Sequence, residues 1–141
     1  MTPQENLKLV KEYYNALNDH NSERASNYFA ENASFLEAST ISPIQGKNEI
    51  KNMLERGICG EFLKGFPDLR FELKDTIADE NGVAVEWTLL GTHKGLFMGV
   101  QPTNKNIEIK GATIFQISDH KIVSACEYWN PTLLFNQIKA K

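Results

Sequence analysis

Apolar positions repeat with a helical period in the first third of the chain and with a period of two in most of the remainder. The N-terminal segment predicts a helix whose apolar positions share one face: Leu7, Val10, Tyr14 and Leu17. Thr2 can cap this helix, with Pro3 in its first turn and Glu5 placed to complete a capping box. The chain is therefore expected to open with an amphipathic helix packed on a core.

Polar turns separate this helix from further short elements. A turn cluster at residues 18–21 precedes a short second helix that is expected to bury Phe29, and residues 33–36 predict a strand. Gly46 precedes a third helix, which is expected to bend where two glycines, Gly57 and Gly60, interrupt it.

From Asp68 onward the pattern is typical of antiparallel strands. The predicted strands cover residues 69–74, 83–90, 107–117 and 122–129, and a short helix follows from Pro131. Helices that come first and strands that come later indicate an α+β fold, with the helices packed on one face of a curved sheet. The length of 141 residues predicts one domain over the whole chain, residues 1–141.

The composition of the chain argues against several classes of function. The chain has 15 Lys and Arg against 18 Asp and Glu, and its net charge of −3 predicts neither a nucleic-acid nor a membrane partner. Cys59 and Cys126 lack the spacing of zinc ligands and are expected to be reduced thiols in the core. Residues 1–5 show no leader pattern, and no apolar run approaches about 18 residues, so a cytoplasmic location is expected.

The segment at residues 83–90 is nearly apolar on both faces of its strand. Glu86 and Thr88 could be enough to solvate the outer face. A second copy of the chain could equally cover it. We expect a homodimer formed through the sheet.

Several short motifs in the second half of the chain occur in a recognisable combination. They are FPDLRFE at residues 66–72, WT at 87–88, GTHKG at 91–95, FMGV at 97–100, PT at 102–103, Gly111, IF at 114–115 and KI at 121–122. Together with the order of elements, they resemble the SnoaL-like polyketide cyclase family, within the NTF2-like cone fold. This resemblance implies a strongly curved, mostly antiparallel sheet around a deep apolar pocket that the N-terminal helices close. It also implies acid–base chemistry on a small apolar or polyketide-like molecule, with no metal or organic cofactor.

Four positions depart from the family pattern. Thr113 stands where family cyclases usually carry an Asp two residues after the Gly, and Cys126 replaces the usual Trp of the last strand. Asn130 replaces an Asp, and His120 replaces the Gly of a turn. Without the Asp, weak or no aldol-cyclase activity is expected, because a Thr hydroxyl cannot shuttle a proton as a carboxylic acid does.

Three residues are candidates for catalysis. Glu37 follows an apolar strand at a position that resembles the catalytic carboxylate of ketosteroid isomerases, although it could be a rim residue of the next loop. Tyr13 matches their oxyanion-donating Tyr, or it is a core aromatic residue. His93, expected near the pocket mouth, is an acid–base group or fixes its own loop.

Further residues are expected to form the walls of the pocket: Tyr14, Met53, Trp87, Thr113, Phe115, Cys126 and Trp129. Glu127 is either a second pocket acid or a charge on the outer face, since alternation along the strand does not decide its side.

Three functions remain open from the sequence. The first is a cofactor-independent isomerase, cyclase or hydrolase that uses Glu37 with Tyr13 or His93. The second is a protein that binds a small apolar molecule without chemistry. The third is a dimeric interaction module.

Overall fold

The computed structural model describes residues 1–139, in which helices pack on a single curved sheet. The helices are α1 (Pro3–Asn18), α2 (Ser22–Ser26), α3 (Lys47–Arg56), α4 (Phe62–Gly65) and α5 (Pro131–Lys139), with a π-helical turn at Gly57–Glu61 between α3 and α4. The strands are β1 (Phe29–Glu37), β2 (Ile44–Gln45), β3 (Arg70–Ala78), β4 (Gly82–Thr92), β5 (Asn106–Ser118) and β6 (Lys121–Tyr128). This architecture confirms the α+β class.

Helix α1 begins as the sequence predicts. The Thr2 hydroxyl accepts a hydrogen bond from the Glu5 backbone N–H at 3.1 Å and donates one to the Glu5 carboxylate. Tyr13 and Tyr14 are both buried, although neighbours on a helix diverge by about 100°. Each ring therefore reaches a different part of the core.

The strand order is β2-β1-β6-β5-β4-β3, and the pairing of β1 with β6 is parallel while the other pairs are antiparallel. Register shifts interrupt several of these pairs, and such bulges increase local twist and bend the strands. The concave face carries the core, and α1 crosses β3 and β4 on that face.

Strand β1 is longer than predicted. Residues 33–36 do form its centre, but the strand starts at Phe29, which the sequence pattern placed with the second helix. Phe29 pairs with Ile122 of β6, and this long-range pairing outweighs the local helical pattern. The two-residue strand β2, at an edge of the sheet, was not predicted.

The outer face of the sheet carries a continuous apolar row. Its members are directly opposed across five strands and are called here the outer apolar row: Ile77, Ala84, Ile114, Cys126 and Leu36. Ile77 is 77% exposed and Ile114 is 49% exposed. Both cysteines are free thiols and each is only partly buried: Cys59 packs against the core, whereas Cys126, which was also expected in the core, lies in the outer apolar row.

Within residues 1–139, the structure contains no helix that is both long and apolar enough to span a membrane.

Candidate functional site

A cavity of about 170 Å³ lies between the concave face of the sheet and the helices. It is lined by Tyr13, Leu17, Phe35, Glu37, Met53, Leu54, Gly57, Ile58, Phe62, Phe71, Trp87, Leu89, Glu127 and Trp129. Most of these side chains are apolar. Such a cavity, with a few polar groups converging on it, is the usual form of a small-molecule site.

Two carboxylates stand side by side in this cavity. Glu37 at the end of β1 and Glu127 on β6 are register partners, on strands that run about 4.8 Å apart. We call them the acid pair. The Glu37 carboxylate accepts hydrogen bonds from the Ser39 backbone N–H, at 3.2 Å, and from the Ser39 hydroxyl, which hold it in place. The Glu127 carboxylate has no hydrogen-bond partner among residues 1–139 and is free to meet a ligand.

The surroundings of Glu127 change its protonation. Burial, and after it the charge of Glu37, raises the pKa of Glu127 to about 7. A carboxylic acid in apolar surroundings keeps its proton because the charged form is poorly solvated there. At neutral pH Glu127 can therefore either give or accept a proton.

Tyr13 contributes a hydroxyl to the same cavity. Its ring packs edge-on against Phe29 and Phe115, with centroid distances of 5.4 and 5.8 Å. Burial raises the pKa of Tyr13 well above its ordinary value, and the charges of Tyr14 and Glu127 act in the same direction. Its hydroxyl therefore stays protonated and can donate a hydrogen bond to a ligand oxygen.

Trp87 forms part of the cavity wall and is held by a buried hydrogen-bond network. Its indole N–H donates to Thr113 Oγ1 at 2.9 Å, and the Tyr14 hydroxyl donates to the same oxygen at 3.2 Å. The ring lies over Gly111, where a Cβ atom would come within 2.3 Å of the indole. Gly111 is required here because of this close approach.

His93 is not at the mouth of the cavity, contrary to the prediction. It is fully buried and stacks on Phe66 at a centroid distance of 5.3 Å. The Thr103 backbone N–H lies 3.3 Å from His93 Nδ1, and the Asn104 N–H donates to the His93 carbonyl. These contacts hold His93 within the loop between β4 and β5, outside the lining of the cavity.

The structure brings some of the predicted site residues together and separates others. Those that line the cavity are Tyr13, Glu37, Met53, Trp87 and Trp129. Tyr14, Thr113 and Phe115 do not line it, because they are buried in the core behind Trp87 and Tyr13. Cys126 lies on the opposite face of the sheet, in the outer apolar row, because it alternates with the inward-facing Ala125 and Glu127.

Glu127 is the cavity residue whose side of the sheet the sequence pattern left undecided. Glu127 faces inward because it pairs with Glu37 on one side and with Thr113 on the other. Glu127 lies two residues after Ala125, so the sequence places both on the same face of the strand. Only the parallel pairing of β1 and β6 brings Glu127 next to Glu37. The π-helical turn, whose Gly57 and Ile58 line the cavity, was predicted only as a bend.

No group of three or more His, Cys, Asp or Glu side chains is placed to hold a metal ion in the part of the chain from residue 1 to 139. The polar side chains among the described lining residues are Glu37, Glu127, Tyr13 and the indoles of Trp87 and Trp129, and the N–H of Trp87 is already bonded.

Comparison with known proteins identifies a family and a fold that this chain resembles. A family model described as SnoaL-like polyketide cyclase matches residues 8–138. Among curated proteins, none matches the chain.

Solved structures with the same fold include three of note. A proposed SnoaL-like polyketide cyclase from Jannaschia sp. CCS1 aligns with a TM-score of 0.80 at 15% identity, over 99% of this chain and 95% of that one. AclR, a proposed hydroxylase from Streptomyces galilaeus, aligns with a TM-score of 0.80 at 26% identity, over 97% and 82%. SalBIII, described as epoxide hydrolase/cyclase-like and linked to pyran ring formation in the polyether salinomycin, aligns with a TM-score of 0.72 at 18% identity, over 92% and 93%.

Proposed function

Because the chain belongs to the SnoaL-like polyketide cyclase family, we propose that it is an acid–base catalyst that moves a proton on a small, largely apolar molecule. The observation that carries the proposal is the acid pair. One carboxylate is oriented by Ser39, and the other, Glu127, has a pKa of about 7 inside an apolar cavity. Two neighbouring acids in one cavity can divide the roles of base and acid.

The arrangement suits the transfer of a proton next to a carbonyl group. Glu37 would take a proton from the carbon beside the carbonyl, and the electrons of that C–H bond would move to the carbonyl oxygen. Tyr13 and protonated Glu127 would donate hydrogen bonds to that oxygen as its charge develops. Glu37 would then return the proton to the γ-carbon, so a β,γ-unsaturated ketone would leave as its conjugated isomer. Thr113 cannot supply the missing family acid, because it lies behind Trp87 and accepts hydrogen bonds from Trp87 and Tyr14.

The pH dependence of this reaction tests the proposal. Isomerisation of 3-cyclohexen-1-one to its conjugated isomer, followed by ultraviolet absorbance, is expected to slow as pH rises through about 7, because Glu127 then loses the proton it donates. In Glu127→Gln this fall near pH 7 is expected to disappear, and the rate below pH 7 is expected to drop about 10²-fold.

Glu86→Gln is the matched control, because Glu86 is exposed on the outward side of β4. It is expected to keep both the rate and the pH profile. The same fall near pH 7 in Glu127→Gln would remove Glu127 from the acid role.

Binding without chemistry is the second candidate, and the apolar lining of the cavity favours it. A protein of this kind would bind cyclohexenone analogues in the cavity but would isomerise none of them. The isomerisation assay separates the two candidates directly.

We also propose that the chain forms a homodimer through the outer apolar row. Ile77 and Ile114 expose large apolar side chains there, and a dimer of ordinary size would bury about 800 Å² on each copy. Ile114→Glu is expected to convert a dimer to a monomer in sedimentation velocity at micromolar concentration, since it would place like charges in a two-fold interface. Ile41→Glu is the control, because Ile41 is fully exposed outside the sheet. A monomer before substitution, or a dimer that survives Ile114→Glu, would contradict this proposal.

A further inference from the structure

The charged side chains that line the cavity are all of one sign. Glu37 and Glu127 carry the only ionisable carboxylates of the lining, and no Lys, Arg or His stands among the lining residues that the structure describes. Neither acid takes part in an ion pair within residues 1–139. The cavity therefore concentrates negative charge without an internal counter-ion.

Aromatic rings form much of the remaining wall: Tyr13, Phe35, Phe62, Phe71, Trp87 and Trp129. Phe62 and Trp129 pack together at a centroid distance of 6.2 Å, and Phe71 meets Trp87 at 5.1 Å. The face of an aromatic ring carries partial negative charge and attracts organic cations, while its hydrocarbon surface desolvates their methyl groups.

We infer that the cavity accepts a molecule bearing a small organic cation, either a quaternary ammonium or a protonated tertiary amine, with its charge against the acid pair and its alkyl groups against the aromatic rings. This inference deepens the proposed function, on which it rests for the assumption that the cavity is the substrate site. It names the class of substrate.

Other charged ligands fit the cavity less well. An anion would meet two carboxylates and no basic group. A bare Mg²⁺ or Ca²⁺ ion needs six or more oxygen ligands, whereas the described lining side chains offer only the oxygens of the acid pair and of the Tyr13 phenol. A neutral apolar molecule would add no charge to the site, and Glu127 would avoid the repulsion of Glu37 only by keeping its proton. An alkylammonium group relieves that repulsion and is itself easily desolvated.

Binding of such a cation is expected to release a proton near neutral pH. The groups that face Glu127 are Glu37 from β1 and Tyr13 and Tyr14 from α1, and both tyrosines stay protonated. A cation between the two acids favours the ionised form of Glu127. A smaller fraction of Glu127 is therefore protonated in the complex than in the free protein.

Choline and its uncharged isostere 3,3-dimethyl-1-butanol form a matched pair of probes, because they differ mainly in the replacement of nitrogen by carbon. The chain has two tryptophans, and both line the cavity, so intrinsic fluorescence reports its occupancy. At about pH 8, where Glu127 is largely ionised, choline is expected to bind about tenfold or more tightly than the isostere.

Substitutions in the acid pair assign the preference to the carboxylates. Glu37→Gln and Glu127→Gln are each expected to weaken choline binding about tenfold or more while leaving the isostere within about twofold. Glu86→Gln, the same substitution on the outward side of the sheet, is expected to change neither affinity. Circular dichroism of each variant confirms that it is folded. Calorimetry in buffers of different ionisation enthalpy is expected to show proton release on choline binding at about pH 7.

Three results would overturn the inference: equal binding of choline and its isostere, no binding of either, or a preference for choline that survives both substitutions in the acid pair. The same experiments distinguish a failure of this inference from a failure of the proposed function. Isomerisation of 3-cyclohexen-1-one with no preference for choline would remove the inference alone. A preference for choline that depends on the acid pair, without isomerisation, would support the cation site and remove the proposed reaction.

Discussion

Glu37→Gln is expected to lower the rate of 3-cyclohexen-1-one isomerisation by about 10²–10⁴-fold, because it removes the general base and leaves an amide of nearly the same shape. The Ser39 backbone N–H can still donate to the amide oxygen, so the geometry of the loop is expected to survive. The loss is expected in kcat with little change in KM, since a neutral ketone needs no charge at this position to bind.

Single-turnover and steady-state rates on the purified variants provide the measurement. Glu86→Gln again serves as the control, and its rate is expected to match that of the unmodified protein. A rate for Glu37→Gln within about threefold of the unmodified protein would remove Glu37 from the role of base.

Gly111→Ala is expected to destabilise the fold by about 1–3 kcal/mol, because the added methyl group collides with the indole of Trp87. The ring cannot move away cheaply: it is 2% exposed, packs against Phe71 and is tied to Thr113 through its N–H. The measurement is the urea concentration at the midpoint of unfolding. It is expected to fall, while the slope of the unfolding free energy against urea concentration stays unchanged.

A double-mutant cycle makes this prediction specific. The three atoms closest to the added Cβ, at 2.3, 2.5 and 2.8 Å, all belong to the six-membered ring of the Trp87 indole, which a Phe side chain would place differently. In a Trp87→Phe background, Gly111→Ala is therefore expected to cost less than about 0.5 kcal/mol, with a coupling energy of about 1 kcal/mol or more. An equal cost in both backgrounds would show that the indole is not the obstacle.

Local patterns in the sequence predicted much of the fold. The N-cap at Thr2, the helical period that follows it and the alternation along β5 arise from interactions within a few residues, and so they can be recognised without a structure. The motifs around residues 66–72 and 91–100 indicated the family, which the match over residues 8–138 confirms. The sequence also singled out Glu37, Tyr13 and Trp87, which meet in one cavity.

The pairing of strands decided what the local patterns left open. The parallel alignment of β1 with β6 sets Glu127 beside Glu37, although 90 positions separate them along the chain. It also turns Cys126 outward and extends β1 back to Phe29. Alternation along one strand assigns residues to two faces but cannot say which face is covered.

The placement of His93 and Thr113 depended on tertiary packing in the same way. The sequence identified both as polar groups suited to a pocket, but Phe66 and Thr103 enclose His93, and Trp87 and Tyr14 engage the Thr113 hydroxyl. Buried polar side chains usually have hydrogen-bond partners, and those of Thr113 come from Tyr14 on α1 and Trp87 on β4. The sequence by itself therefore determined most of the elements, the family and most of the candidate residues. Only the tertiary structure decided which of these residues share a cavity, because that depends on contacts between strands and helices far apart in sequence.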